Sequence, residues 1–157
     1  IDIIRSIPFI ILIVLLIPLS RFLVGTGSGV TGSFVALVFG TVPFFARQIE
    51  SVLSEIDHGL VEASAAMGFS PRQIIFGVYL RESIPGITRV TMITFVSFVG
   101  ITAIAGAIGA GGIGDFAIRY GYQMGYRDMI WLTVLIILAI ISIFQFFGNM
   151  IIRRTTH

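Results

Sequence analysis

Cysteine and lysine are both absent from the sequence. The first absence excludes disulfide scaffolds, thiolate metal sites and cysteine nucleophiles. The second makes arginine the sole source of positive charge, and ten arginines against eight acidic residues leave a net charge of +2. Charge of either sign is scarce. It makes up 11% of 157 residues, where a soluble domain carries roughly a quarter. So few charges cannot coat a water-soluble surface of this size. No run of basic residues could track phosphates, so nucleic acid is not an expected partner. The two histidines, His58 and His157, stand far apart in sequence, and no metal site or cofactor is expected.

What the chain does have is apolar length. Hydrophobic residues make up 56% of it, which moves the class to an integral membrane protein. Four apolar stretches stand out, at about residues 7–24, 30–46, 84–108 and 129–152. Each is near the roughly 20 residues that a bilayer-spanning helix needs. Pro18, Gly40 with Pro43, Gly100 with Gly106, and Gly148 interrupt them. Membrane helices tolerate such residues because neighbouring helices satisfy the freed backbone groups. Buried helices of a large soluble protein would give the same stretches, but too little polar sequence remains to cover such a core. The expected architecture is all-α, a polytopic membrane helical bundle forming one transmembrane domain over residues 1–157. The sequence opens on Ile1 rather than methionine, with Asp2 and Arg5 close behind and no signal-peptide pattern. It reads as a piece whose beginning lies upstream.

Arginine placement sets the expected orientation. With the long segment between the second and third spans inside the cell, Arg5, Arg47, Arg72, Arg81, Arg89, Arg153 and Arg154 lie on the cytoplasmic side. Arg21, Arg119 and Arg127 lie outside. This satisfies the excess of basic residues on the inner face, and the reverse orientation violates it. Arg89, about one turn inside the third span, can snorkel back to the interface. Gly25 to Gly29 is then a short outer loop. Gly109 to Asp128 is a longer outer connection where Tyr120, Tyr122, Tyr126 and Trp131 form an interfacial aromatic belt.

The segment Glu50 to Gly86 is too long and too patterned for a connector. Leu60, Ala63, Ala66 and Met67 share one helical face, with Glu62 beside it. Gly68 stops that helix. Ser70 is placed as the N-cap of a second helix, with Pro71 at its first position and Gln73 completing a capping-box spacing. Ile74, Ile75, Val78 and Tyr79 continue it, and Pro85 with Gly86 is expected to end it before the third span. The result is a helix–turn–helix over about residues 57–82, with a small apolar tip at Ala65 to Phe69. Such a tip on a cytoplasmic projection suits a protein groove. An amphipathic hairpin lying on the lipid surface would read the same way.

The run Glu62-Ala63-Ser64-Ala65-Ala66-Met67-Gly68 resembles the EAA loop of ABC importer permeases, in which a glutamate, small residues and a glycine six positions on recur. The family pattern continues with an aliphatic residue and Leu-Pro. Val78 and Leu80 fit it, while Arg81 stands where the proline is expected. Three further stretches are similar to the methionine-importer branch of that family: Arg5-Ser6-Ile7-Pro8-Phe9-Ile10-Ile11, Gly40-Thr41-Val42-Pro43-Phe44-Phe45-Ala46-Arg47 and Ala107-Ile108-Gly109-Ala110-Gly111-Gly112-Ile113-Gly114. So are Tyr120-Gly121-Tyr122 and Gly125-Tyr126. The resemblance runs through the whole chain in order.

It implies a type I ABC importer permease fold, in the bacterial inner membrane, with one more span at the N-terminus than this chain shows. It implies a homodimer carrying two ABC ATPase subunits and a substrate-binding lipoprotein, and moving D- or L-methionine by alternating access. The chain itself would hydrolyse nothing. The resemblance also implies roles in ATPase coupling. Glu62 would make a polar contact, Ala63, Ser64 and Ala66 would allow close approach, Met67 would be an adaptable apolar plug and Gly68 would set the turn. Helix propensity alone would equally account for the alanines taken singly. Another polar amino acid or small solute remains an alternative cargo.

Weaker signals are weighed against plainer uses. Gly27 to Gly32 and Gly109 to Gly114 both match G-x-G-x-x-G, but without the strand and helix of a dinucleotide site. Turns and close helix approach are the expected use of those glycines. Thr94, Ser97 and Thr102 are polar positions within the third span. They could line a translocation path, or simply bond a backbone carbonyl. A membrane enzyme would need paired carboxylates, a Ser–His pair or a metal inside the bilayer, and no Asp or Glu lies well inside a span. A channel would need a ring of charge or carbonyls, which no span offers beyond Arg89.

Overall fold

The computed structural model describes residues 7–155. Arg5, counted above on the cytoplasmic side, and His157 lie outside them. The described chain is helical: α1 (Phe9–Val24), α2 (Gly29–Ser54), α3 (His58–Ala66), α4 (Pro71–Ile74), α5 (Leu80–Ala105), α6 (Gly112–Phe116) and α7 (Arg127–Thr155). π-helical segments occupy Ile75–Tyr79, Gly106–Ala110 and Ala117–Gln123. Three helical stretches, Gly29–Ser54, Pro71–Ala110 and Arg127–Thr155, are long and apolar enough to cross a membrane, and Phe9–Val24 is a shorter apolar helix.

The described chain falls into two compact units, one holding residues up to 44 and 94–143, the other 45–93 and those from 144 on. In the first, small side chains set the packing. Ala36, Ala105 and Ala110 are buried beside Leu12, Val35 and Leu37. Small residues let helix backbones approach closely where lipid removes the usual hydrophobic drive between helices. The connection after the third span is largely helical and turns back on itself. α5 runs into the Gly106–Ala110 segment, breaks at Ile108 and Gly109, and the chain turns back as α6. The return is tight: a Cβ on Gly106 would lie 2.5 Å from the Asp115 amide nitrogen, and one on Gly114 would overlap the Ala103 carbonyl. An ion pair at 3.4 Å between Arg119 and Asp115 and a Phe116–Tyr120 ring contact at 5.0 Å brace the returning segment. Tyr122, Tyr126 and Trp131 are all exposed.

In the second unit Pro85 and Gly86 do not end the helix that begins at Pro71. They sit inside α5, and the helical stretch that starts at Pro71 runs through them to Ala105 without a break. Pro85 forgoes only the bond to the Arg81 carbonyl, a loss that a membrane helix absorbs. Gly86 has a packing reason instead of a terminating one, since a Cβ there would meet Val52 of α2 at 2.5 Å. Along α7 only Thr133 and Gly148 are buried, and its large apolar side chains are mostly exposed.

Candidate functional site

The hairpin between α2 and α5 is built from local signals. Asp57 caps α3, its carboxylate accepting from the Gly59 N–H at 2.8 Å. Sequence reasoning missed this cap, although an Asp directly before a helix is a recognisable signal. At the other end Met67 is the last half-helical residue. The Gly68 N–H donates to the Ala65 carbonyl at 3.0 Å and the Phe69 N–H to the Ser64 carbonyl at 3.1 Å. This pair of bonds is a Schellman motif, and it requires Gly68 in the left-handed region, where its φ is +83°. The second limb starts on the capping box read from the spacing. The Gln73 N–H donates to Ser70 Oγ at 3.4 Å, and the Ser70 N–H donates to Gln73 Oε1 at 2.8 Å.

The two limbs pack together, and the least exposed positions are Val61 and Ser64 on α3 with Ile74, Val78 and Tyr79 on the second limb. Ser64 is only 6% exposed, and its hydroxyl donates to the Leu60 carbonyl at 2.7 Å. Ser64 is thus less exposed than the other residues expected at the partner contact. Glu62, Ala63, Ala66, Met67 and Gly68 all face outward. Beside them Leu60, Phe69, Ile75 and Phe76 are exposed, so that an apolar surface runs over both limbs with Glu62 at its margin. Phe76, 69% exposed, was missed in the sequence. Its signal is the run Ile74-Ile75-Phe76, because three consecutive apolar positions on a helix at 100° per residue cannot all face inward.

The span hydroxyls separate into two groups. Thr102 donates to the Val99 carbonyl at 2.7 Å and borders a small cavity with Ser33 and Gly111. Thr94 and Ser97 border a different, half-open cavity of about 370 Å³, together with Thr41. The three path candidates thus do not converge on one space. Among the described residues, no cluster of His, Asp and Glu could hold a metal ion.

Comparison with known proteins follows the same lines. The model of the family described as "Binding-protein-dependent transport system inner membrane component" matches residues 1–157. The methionine import system permease protein MetP of Bacillus subtilis is 44% identical over 151 residues, 96% of this chain and 68% of that protein. The D-methionine transport system permease protein MetI of Escherichia coli is 51% identical over 87 residues, 55% of this chain and 40% of that one. Among solved structures, a chain of the MetNI methionine ABC transporter in inward-facing conformations is similar with a TM-score of 0.89 at 43% identity, covering 99% of this chain and 72% of that chain.

Proposed function

This chain belongs to the binding-protein-dependent transport system inner membrane components, and on that premise we propose that it is the membrane-spanning subunit of an ATP-driven methionine importer. The methionine import permease MetP of Bacillus subtilis matches 96% of this chain, and the likeness to the methionine transporter structure extends over 99% of it. ATP hydrolysis belongs to a partner subunit, two copies of which serve a permease dimer, and a binding lipoprotein delivers the amino acid from outside.

The observation that carries the coupling role is the apolar face of the 57–82 hairpin. Ala63, Ala66 and Met67 project from it, Met67 being 67% exposed, and nothing else among the described residues covers them. A rigid two-limbed projection fixed at both caps can transmit a push, whereas a flexible loop would dissipate it. The hairpin lies in the cytoplasm and seats in a groove of the ATPase. Ala63 and Ala66 allow close approach, Met67 plugs an apolar recess, Phe69 and Phe76 extend the contact, and Glu62 meets a polar group at the rim. Closure of the ATPase pair then moves the hairpin as a lever, and the helices continuous with it alternate between inward-open and outward-open states.

The test is capture of the ATPase subunit by the intact permease, with uptake into proteoliposomes measured in parallel. Glu62→Arg and Gly68→Pro are expected to lose the ATPase and to abolish ATP-driven methionine uptake. Full capture and uptake by both variants would remove the docking role. Uptake that follows a different amino acid and ignores methionine would reassign the cargo within the same family.

A further inference from the structure

Six hydroxyls in these helices find a backbone carbonyl. Ser33, Ser83, Thr88, Thr91, Thr102 and Thr133 each donate to a carbonyl three or four residues earlier. This is the ordinary use of a hydroxyl inside a span. Two others stand out because they are buried without such a bond. Thr41 Oγ1 and Thr94 Oγ1 are buried and have no hydrogen-bond partner. Thr94 is only 7% exposed. On the same helix Thr88 and Thr91 bond the Ile84 and Ile87 carbonyls, yet Thr94 does not take the equivalent bond to Val90. A buried hydroxyl left unpaired is unfavourable, and two of them bordering one space point to something that enters it.

That space is the half-open cavity of about 370 Å³, lying wholly within the first compact unit. Its size falls within the range of small-molecule sites, about 300–1,000 Å³. It lies deep in the helices. Thr94 is eleven residues before Ala105, the end of α5, or about 16 Å at 1.5 Å per residue, roughly half the hydrocarbon thickness. The walls are apolar and aromatic, with Phe9, Phe44 and Phe98 contributing, and among the described residues no Asp, Glu or Arg borders it.

We propose that this cavity is an intramembrane resting site for the transported amino acid, in which Thr41 and Thr94 hold the zwitterionic end and the aromatic walls receive an unbranched thioether side chain. The inference rests on the reading of the chain as a methionine importer's permease. A site without fixed charge cannot bind an ion strongly, but a zwitterion has no net charge. A hydroxyl can donate to its carboxylate and accept from its ammonium group. A thioether is polarisable and gains from contact with aromatic rings. The site is weak by construction, and conduction requires occupancy loose enough to release.

The absence of cysteine makes the test clean. In the complete importer, reconstituted with its ATPase and binding protein, Thr41→Cys, Thr94→Cys and Thr102→Cys each add one thiol to a stretch of 157 residues that has none. Modification by a small charged methanethiosulfonate is followed during turnover, with and without L-methionine. Methionine is expected to slow modification at positions 41 and 94 about fivefold, as one neutral hydrogen bond would allow, and to leave position 102 unaffected. Uptake by Thr94→Val is expected to show a KM raised by about the same factor, with Thr94→Ser restoring it. Gly40 borders the cavity, and Gly40→Val is expected to fill it and lower uptake further. Thiols that only membrane-soluble maleimides reach would mean an acyl chain fills the space. Equal, rapid modification at 94 with and without methionine would mean that water alone occupies it, and protection irrespective of methionine would mean that a second copy of the chain does. Each of these results overturns the inference while ATP-driven uptake by the wild type persists. Absence of that uptake in the wild type would overturn the functional reading, and this site with it.

Discussion

The backbone N–H of Phe69 donates to the Ser64 carbonyl at 3.1 Å, and this bond clamps the turn that holds the two limbs of the hairpin together. It reaches across Gly68, whose φ of +83° no side chain adopts easily. Ser64 is thus the point where the turn closes and also the point where the limbs touch. The stiffness of the projection depends on this one local arrangement.

Gly68→Ala is expected to destabilise the hairpin by about 1–2 kcal/mol, the penalty of the left-handed conformation for a side chain. Gly68→Asn should lose less, because Asn tolerates that region. Protection from hydrogen exchange at residues 57–79 and ATPase capture should fall in the order glycine, asparagine, alanine. Equal protection in all three would show that the turn does not depend on its backbone dihedral.

Ser70→Ala removes the side-chain acceptor of the Gln73 amide. The expected loss is about 1 kcal/mol, confined to α4 and the π-helical segment after it. Faster amide exchange at residues 71–75, with the thermal midpoint of the detergent-solubilised protein nearly unchanged, is the expected result. A global loss of stability would contradict a purely local cap.

Gly106 and Gly100 lie six residues apart in one helical stretch but meet different surroundings. A Cβ at Gly106 collides with the backbone at Asp115 and Gly114, whereas one at Gly100 meets nothing within 4 Å. Gly106→Ala should lower the thermal midpoint by the equivalent of about 1–3 kcal/mol, as overpacking does. Gly100→Ala should be neutral or mildly stabilising through helix propensity. A similar response at both positions would refute the tight return of the chain after α5.

The proposed topology is open to a labelling test in the same cysteine-free background. Ala65→Cys, at the hairpin tip, should react with a membrane-impermeant thiol reagent in inverted vesicles and not in intact spheroplasts. Gly125→Cys, between the returning segment and α7, should show the opposite pattern. Reaction of Ala65→Cys from outside would place the hairpin away from any cytoplasmic ATPase.

Much of the hairpin was legible because its signals are short-range. The Ser70–Gln73 spacing, Pro71 at the first helical position and Gly68 past the end of α3 each act within three or four residues, and the structure has all three features. Pro85 misled for an instructive reason. A proline is a strong local breaker, but Gly86 is held against Val52, more than thirty residues away in sequence. The glycines after Ala105 were expected to serve turns and close helix approach, but which of them meet backbone was not legible: Gly106 and Gly114 do, and α6 folds back on α5 there. The apolar periodicity of α3 identified its face correctly but could not say that Ser64, between two outward alanines, would be the residue turned inward.

Composition and local pattern were by themselves enough to determine a membrane-embedded helical protein with a capped helix–turn–helix between two apolar stretches. Scarcity of charge is a property of the whole chain, and caps and turns act over one helical turn. Only the tertiary structure decided which hydroxyls are satisfied by their own helix and which, like those of Thr41 and Thr94, are left facing a shared cavity. Every serine and threonine in a span has a carbonyl within reach. Whether it uses that carbonyl depends on side chains that distant parts of the chain bring to it.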